Sequence, residues 1–192
     1  MAEQKDLLVE IGTEELPPKA LQKLSKSFSS EIIAGLKNAE LEHGDIKAFA
    51  APRRLAVWIQ AVALQQADKN IERRGPALTA AFDDSGNPTK AAQGFAQSCG
   101  VSVDELARME NKKGSWLCFH SEQKGAAASE LLTGIVSDAL EKLPIPKRMR
   151  WGAGDAEFVR PVHWIILLHG GDIVPGDILG VSAGNQTRGH RF

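Results

Sequence analysis

The sequence predicts an α+β fold: a mixed, mainly antiparallel sheet packed by helices, with a smaller helix-and-strand lobe in the middle of the chain. Three observations predict it. Apolar stripes at helical spacing, Leu21-Leu24-Phe28-Ile32-Leu36 and Ala128-Leu132-Ile135-Ala139-Leu143, alternate irregularly with short β-rich runs. Hairpin-like turns at Pro52-Arg53-Arg54 and Gly170-Gly171-Asp172 join neighbouring runs. The regular strand–helix alternation of a doubly wound parallel sheet fails after Ile46 and again after His163. The 192 residues allow one large domain or two small ones, and 43% hydrophobic with 24% charged residues supplies a core and excludes wholesale disorder.

Asp6–Ile11, with β-branched Val9 and Ile11 and Gly12 behind it, reads as a strand. A helix follows from Pro18 to Leu41: proline suits a first helical turn, and Glu14-Glu15 read as acids at the positive end of the helix dipole. His43-Gly44-Asp45 turns the chain into strands Ile46–Ala50 and Leu55–Leu64, and polar Gln65–Arg74 reads as a loop or extended arm. Gly75-Pro76 marks a boundary, and Asp83–Pro88 is a turn cluster. A helix over Thr89–Ser98 is stopped by Gly100, and a capping box, Ser102 with Glu105, introduces a second short helix from Val103 to about Met109. The two would make a compact helix-turn-helix. It is not basic, since Arg108 faces Asp104 and Glu105, so it suits packing or protein contact better than duplex reading. Trp116–His120 is a strand, and the helix Ala126–Leu143 ends at Pro144 and Pro146. Val162–His169 is a strand buried on both faces, and Ile178–Val181 another. Residues 1–75 and 147–192 then form the main lobe and 76–146 an inserted one.

The formal charge is -1, which excludes a polycation but hides a pattern. Residues 1–51 carry six basic and nine acidic side chains, 52–75 five and two, 76–146 six and nine, 147–192 six and four. Most of the arginines are grouped: Arg53-Arg54, Arg73-Arg74, Arg148 and Arg150, Arg188 and Arg191. Arginine presents a planar fork of donors suited to phosphate, so these segments are either an RNA footprint or partners for the acidic helices. Lys147–Trp151 and Arg188–Phe192 also interleave bases with aromatics, a pattern that can neutralise phosphate and stack on unpaired bases, though Trp151 reads equally well as a core anchor.

Other chemistry finds little support. Gly152-Ala-Gly154 lacks the third glycine of a dinucleotide loop, and there is no Walker-type Gly-Lys-Ser/Thr. The five histidines show no metal-ligand spacing, and His163 and His169 read as core or edge residues. Cys118 and His120 share a strand face without an evident orienting group. Asp83–Asn87 lacks the closing glutamate of a calcium loop. Two cysteines, no signal peptide and no membrane-length apolar run imply a cytoplasmic protein with free thiols.

Five stretches carry a resemblance: Leu7-Leu-Val-Glu-Ile-Gly-Thr-Glu-Glu-Leu-Pro-Pro18, Ala51-Pro-Arg-Arg-Leu-Ala-Val57, Arg148-Met-Arg-Trp-Gly152, Phe158-Val-Arg-Pro-Val-His-Trp164 and Thr187-Arg-Gly-His-Arg-Phe192. Together they resemble the start of the β subunit of bacterial, α2β2-type glycyl-tRNA synthetase. The resemblance implies that this is the N-terminal part of a longer chain. It places ATP, Mg²⁺ and glycine activation on the α subunit, and implies no catalytic residue, cofactor or metal here. The implied partners are the α subunit and tRNA(Gly). Arg148, Arg150, Arg160, Arg188 and Arg191 are the first candidates for tRNA contact, with Arg53 and Arg54 next. The alternative is a structural module that docks the α subunit or other β domains without touching tRNA; a small Cys/His or Ser/His hydrolase is remote.

Overall fold

A computed structural model describes residues 3–83, 85–111 and 114–189. In chain order the elements are β1 (Gln4–Thr13), α1 (Pro18–Asn38), β2 (Ile46–Ala51), β3 (Arg54–Ala63), β4 (Lys69–Ala77), α2 (Leu78–Ala81), α3 (Lys90–Cys99), β5 (Ala107–Asn111), β6 (Gly114–Gln123), α4 (Ala128–Glu141), β7 (Met149–Arg150), β8 (Glu157–Phe158), β9 (Val162–His169), β10 (Asp172–Ile173), β11 (Asp177–Ile178) and β12 (Val181–Gly184). The fold is α+β with mainly antiparallel sheets. It divides into two compact units, residues 1–67 with 126–192, and residues 68–125.

In the first unit the sheet order is β11-β12-β9-β1-β3-β2, with β10 also on β9; among the described residues only the β12–β9 pair is parallel. Side chains alternate across the pleat. On one face Leu7, Val9 and Ile11 of β1 meet Leu55, Val57 and Ile59 of β3 and Ile165 and Leu167 of β9, all buried in one core with α1 and α4. α1 contributes Leu24, Phe28, Ile32 and Leu36 at four-residue spacing. α4 crosses α1 closely at Gly35, where a Cβ would stand 2.5 Å from Ile135 Cγ2. The other face consists of three cross-strand rows: Lys47–Trp58–Leu8–Leu168–Ile173, Phe49–Ala56–Glu10–Ile166–Gly184, and Ala51–Arg54–Gly12–Trp164. The third row sits at the end of the sheet where the candidate site forms.

The second unit is a three-stranded sheet, β4-β6-β5, over a small core of Ala81, Ala92, Ala96, Leu106 and Leu117. Gly75 admits Phe95 of α3 against β4; a Cβ there would lie 2.5 Å from the ring.

Several sequence expectations change. The boundaries drawn after residues 75 and 146 fall at 67/68 and 125/126 instead. Residues 69–77 are a strand paired with β6, so Gly75-Pro76 lies inside an element, and α4 shares its core with α1. The second helix of the expected helix-turn-helix is a single 3₁₀ turn, Val103–Glu105. Its capping box forms, but Ala107–Asn111 then pairs with β6 because strand pairing satisfies the backbone better than a lone helical turn. α1 stops at Asn38, not Leu41. Glu40 takes a left-handed φ of 52°, its N–H donates to the Lys37 carbonyl, and the Leu41 N–H donates to that of Leu36, a Schellman stop made without glycine. The strand expected over Ile178–Val181 is two short strands around Leu179 and Gly180, both at positive φ (53° and 77°), as a type I′ hairpin requires.

Candidate nucleic-acid interface

Glu10 is the residue around which the site is organised. It is a carboxylate in the middle of an apolar strand and only 7% exposed, so it must be paired to be tolerated there. Its Oε1 accepts from Trp164 Nε1 at 2.8 Å and from Thr187 Oγ1 at 2.6 Å, and lies 3.5 Å from Arg54 Nε. Three distant segments are tied to β1 in this way. Arg54 then donates to the main-chain carbonyl of Arg188 at 2.6 Å, which lays residues 187–189 beside the sheet end. Gly12 faces Trp164 across the strands, and a Cβ on it would come within 2.0 Å of the indole. The indole therefore lies flat on the Gly12 backbone, with the Arg54 guanidinium 5.8 Å from a ring centroid.

A second carboxylate, Glu14, holds the other side. It accepts from Arg53 at 2.7 Å and lies 2.9 Å from His163 Nε2. Arg160 donates to the Glu15 carbonyl at 3.0 Å and to its neighbour Val159 at 2.9 Å. Glu14 and Glu15 thus precede the helix and serve the site; α1 has no acid in its first turn, which corrects the helix-dipole reading.

Between these groups lies a recess of about 480 Å³, lined among others by Thr13, Pro52, Arg53, Arg54, His163, Trp164 and Arg188. A guanidinium carries five N–H donors in a fixed fork. Arg53 and Arg54 are held by carboxylates through only part of theirs, and the exposed Arg188 side chain has no ion pair or hydrogen bond among the described residues. The arrangement presents fixed cationic forks and planar groups to one concavity, suited to an anion carrying a flat ring.

Of the arginines proposed as RNA contacts, the structure brings Arg53, Arg54 and Arg188 around the recess and Arg160 beside it. Arg148 and Arg150 are elsewhere. Arg148 donates to the carbonyls of Leu140 (3.3 Å) and Glu141 at the end of α4 and of Glu157 (3.4 Å). Arg150, on β7, is exposed with Asp155 3.5 Å away. Arg191 lies outside the described residues. Sequence reasoning missed Glu10, Trp164 and Thr187 as members of the site. The available signal was weak: an acid in the apolar run Leu7-Leu-Val-Glu-Ile11, which alternation places on the face away from the core and which long-range partners bury.

The two histidines that flank β9 separate: His169 is buried, with Nε2 3.0 Å from the Val62 carbonyl, whereas His163 is exposed at the site. In the second unit Cys118 Sγ and His120 Nε2 are 3.3 Å apart. Burial, with Glu72 adding to it, pushes the Cys118 pKa up, which disfavours the reactive thiolate. Asp83 caps its turn by accepting from Ser85 and Asn87 N–H groups, and the Asn87 bond leads in holding its pKa down.

Comparison with known proteins gives a consistent result. The sequence model of a family described as "Glycyl-tRNA synthetase beta subunit" matches residues 7–192. The chain is 55% identical over 188 residues to the glycine–tRNA ligase beta subunit of Marinobacter nauticus, covering 98% of this chain and 27% of that protein. It is 55% identical over 188 residues to that of Hahella chejuensis and 51% over 189 to that of Serratia proteamaculans, with the same coverages. The chain thus spans about a quarter of the length of the curated relatives it matches.

Proposed function

The chain belongs to the glycyl-tRNA synthetase beta subunit family, and from that premise we propose that it forms the N-terminal part of the β subunit of a cytoplasmic α2β2 glycine–tRNA ligase. Its role is to position tRNA(Gly) and to help assemble the subunits. The α subunit, using ATP and Mg²⁺, activates glycine and carries out the transfer.

The observation that supports tRNA contact is the meeting of Arg53, Arg54 and Arg188, from separate stretches of chain, around one recess. Phosphate contacts release counterions, so each one steepens the salt dependence of binding. The test is photocrosslinking of the assembled enzyme to tRNA, followed by mapping. Crosslinks at 53–54, 160–164 or 187–189 are expected; crosslinks confined to other parts of the enzyme would refute the role.

A second reading, protein docking, has its own support. The row Trp58–Leu8–Leu168–Ile173 and the neighbouring Phe49 make an apolar band across the sheet face opposite the helices, with Phe49 53% and Ile173 44% exposed. Such a band suits burial against another chain or domain. Phe49→Glu with Ile173→Glu is expected to weaken association with the α subunit in sedimentation velocity and leave tRNA affinity unchanged; unaltered association would remove this reading.

A further inference from the structure

We infer that the recess at the sheet end takes a single unpaired nucleotide of an RNA strand, and not the backbone of a duplex. The inference rests on the tRNA-positioning reading and sharpens it by naming what enters. A concavity of about 480 Å³ is of the size that holds a small ligand, whereas a duplex can lie only across its mouth. Its walls combine the two things an unpaired nucleotide needs. Cationic forks for the phosphate come from Arg188, which is exposed and whose side chain has no partner among the described residues, and from the remaining donors of Arg53 and Arg54. Planar faces for the base come from the same guanidinium groups and from the His163 ring.

The groups are also held in place. Arg53 and His163 are both tied to Glu14, and Arg54 lies between Glu10 and the Arg188 carbonyl. A pre-ordered cluster loses less side-chain freedom on binding than free surface arginines do. The formal charges also argue against simple phosphate capture. Glu10, Glu14 and Glu15 stand within ion-pair reach of Arg53 and Arg54, so with Arg188 counted the formal charges around the recess cancel, and shape and stacking must contribute.

The experiment measures anisotropy of a labelled six-nucleotide single-stranded RNA and of the same sequence as a blunt duplex, against the 192-residue chain and its variants, as a function of salt. The single strand is expected to bind at least tenfold tighter than the duplex. Arg188→Ala should weaken it about fivefold and flatten its salt slope by about 0.7, the value for one single-strand phosphate contact. His163→Ala should also weaken it about fivefold, the loss of one modest stacking contact. It should leave the salt slope unchanged, and His163→Phe should restore affinity by keeping a ring. Equal binding of duplex and single strand, both lowered by Arg188→Ala, would overturn the inference while the tRNA reading stands. Competition by an equally charged glutamate peptide as effective as unlabelled RNA would overturn it in favour of charge alone. Binding of neither RNA, with crosslinks absent from this region in the assembled enzyme, would overturn both.

Discussion

Two arginine groups that look alike in sequence have opposite fates. Arg148 and Arg150 flank Met149 and precede Trp151; Arg54 and Arg188 share a wall with Trp164. At the first group, Arg148 turns its guanidinium onto the carbonyls of Leu140 and Glu141 at the C-terminal end of α4, past the reach of the regular helical ladder, where Leu140 also accepts from the Leu143 N–H. It completes a helix end and supplies the cation that α4 lacks in its own last turn. At the second group, carboxylates hold Arg53 and Arg54 by one edge, and the exposed Arg188 side chain lines the recess with no ion pair or hydrogen bond among the described residues. Charge in a sequence therefore does not reveal which guanidinium groups have donors left. Proximity to an orphan carbonyl or a buried carboxylate decides it.

The most severe way to break this contrast is to remove the floor of the second site. Gly12→Val puts branched carbon where the indole of Trp164 already lies, since even a single Cβ would be 2.0 Å from it. Overpacking of this kind costs about 3 kcal/mol. A drop in the chemical-denaturation midpoint is expected, together with loss of RNA binding. Next in size is Glu10→Ala, which leaves Trp164 Nε1 and Thr187 Oγ1 without their acceptor and Arg54 without its partner. The loss is about 2 kcal/mol. Trp164 fluorescence should shift as the segment 187–189 comes free. If RNA affinity survived that change, the tie between Glu10 and the position of Arg188 would be irrelevant to binding.

Much of this was readable beforehand, and the unreadable part has a physical pattern. The strands Asp6–Ile11 and Val162–His169 and the helix stripe Leu24-Phe28-Ile32-Leu36 follow from local pattern, because β-branched and apolar runs mark buried strands and a four-residue spacing marks a helix face. The stop of α1 was illegible because the left-handed residue is Glu40 where glycine is usual. The chain after Ser102 was misread as helix because a capping box signals a start and says nothing about how soon the helix yields to a strand. Arg53 and Arg188 could be nominated for charge, but the recess depends on long-range register, Gly12 against Trp164 and Arg54, which no local pattern contains.

Arg148→Ala and Arg188→Ala sharpen the comparison at a smaller scale because they should behave as opposites. Arg148→Ala removes a charged cap and should lower stability by about 1 kcal/mol, with the salt slope of RNA binding unchanged. Arg188→Ala should leave the unfolding midpoint where it was and flatten that slope. If both variants lost affinity to the same degree, the division between a structural and a binding arginine would fail.

Glu40→Gly gives the smallest effect and tests whether stability and binding are separable at all. The residue sits at the C′ position of α1 with φ 52°, and Leu41 behind it is buried beside Leu36 in the core, so the backbone is committed to the left-handed turn. Glycine adopts that region without the Cβ penalty but has more freedom to lose from the unfolded chain. The first term exceeds the second, since a left-handed non-glycine residue costs about 1–2 kcal/mol and the glycine entropy about 0.5–1. A gain of about 0.5 kcal/mol is expected, visible as a small rise in the denaturation midpoint. RNA affinity should not move, because α1 ends on the helix side of the sheet and the recess opens among the residues of β1, β3, β9 and 187–189. A change in affinity with this variant would mean that global stability, not the position of Arg188, sets the binding measured with all the others.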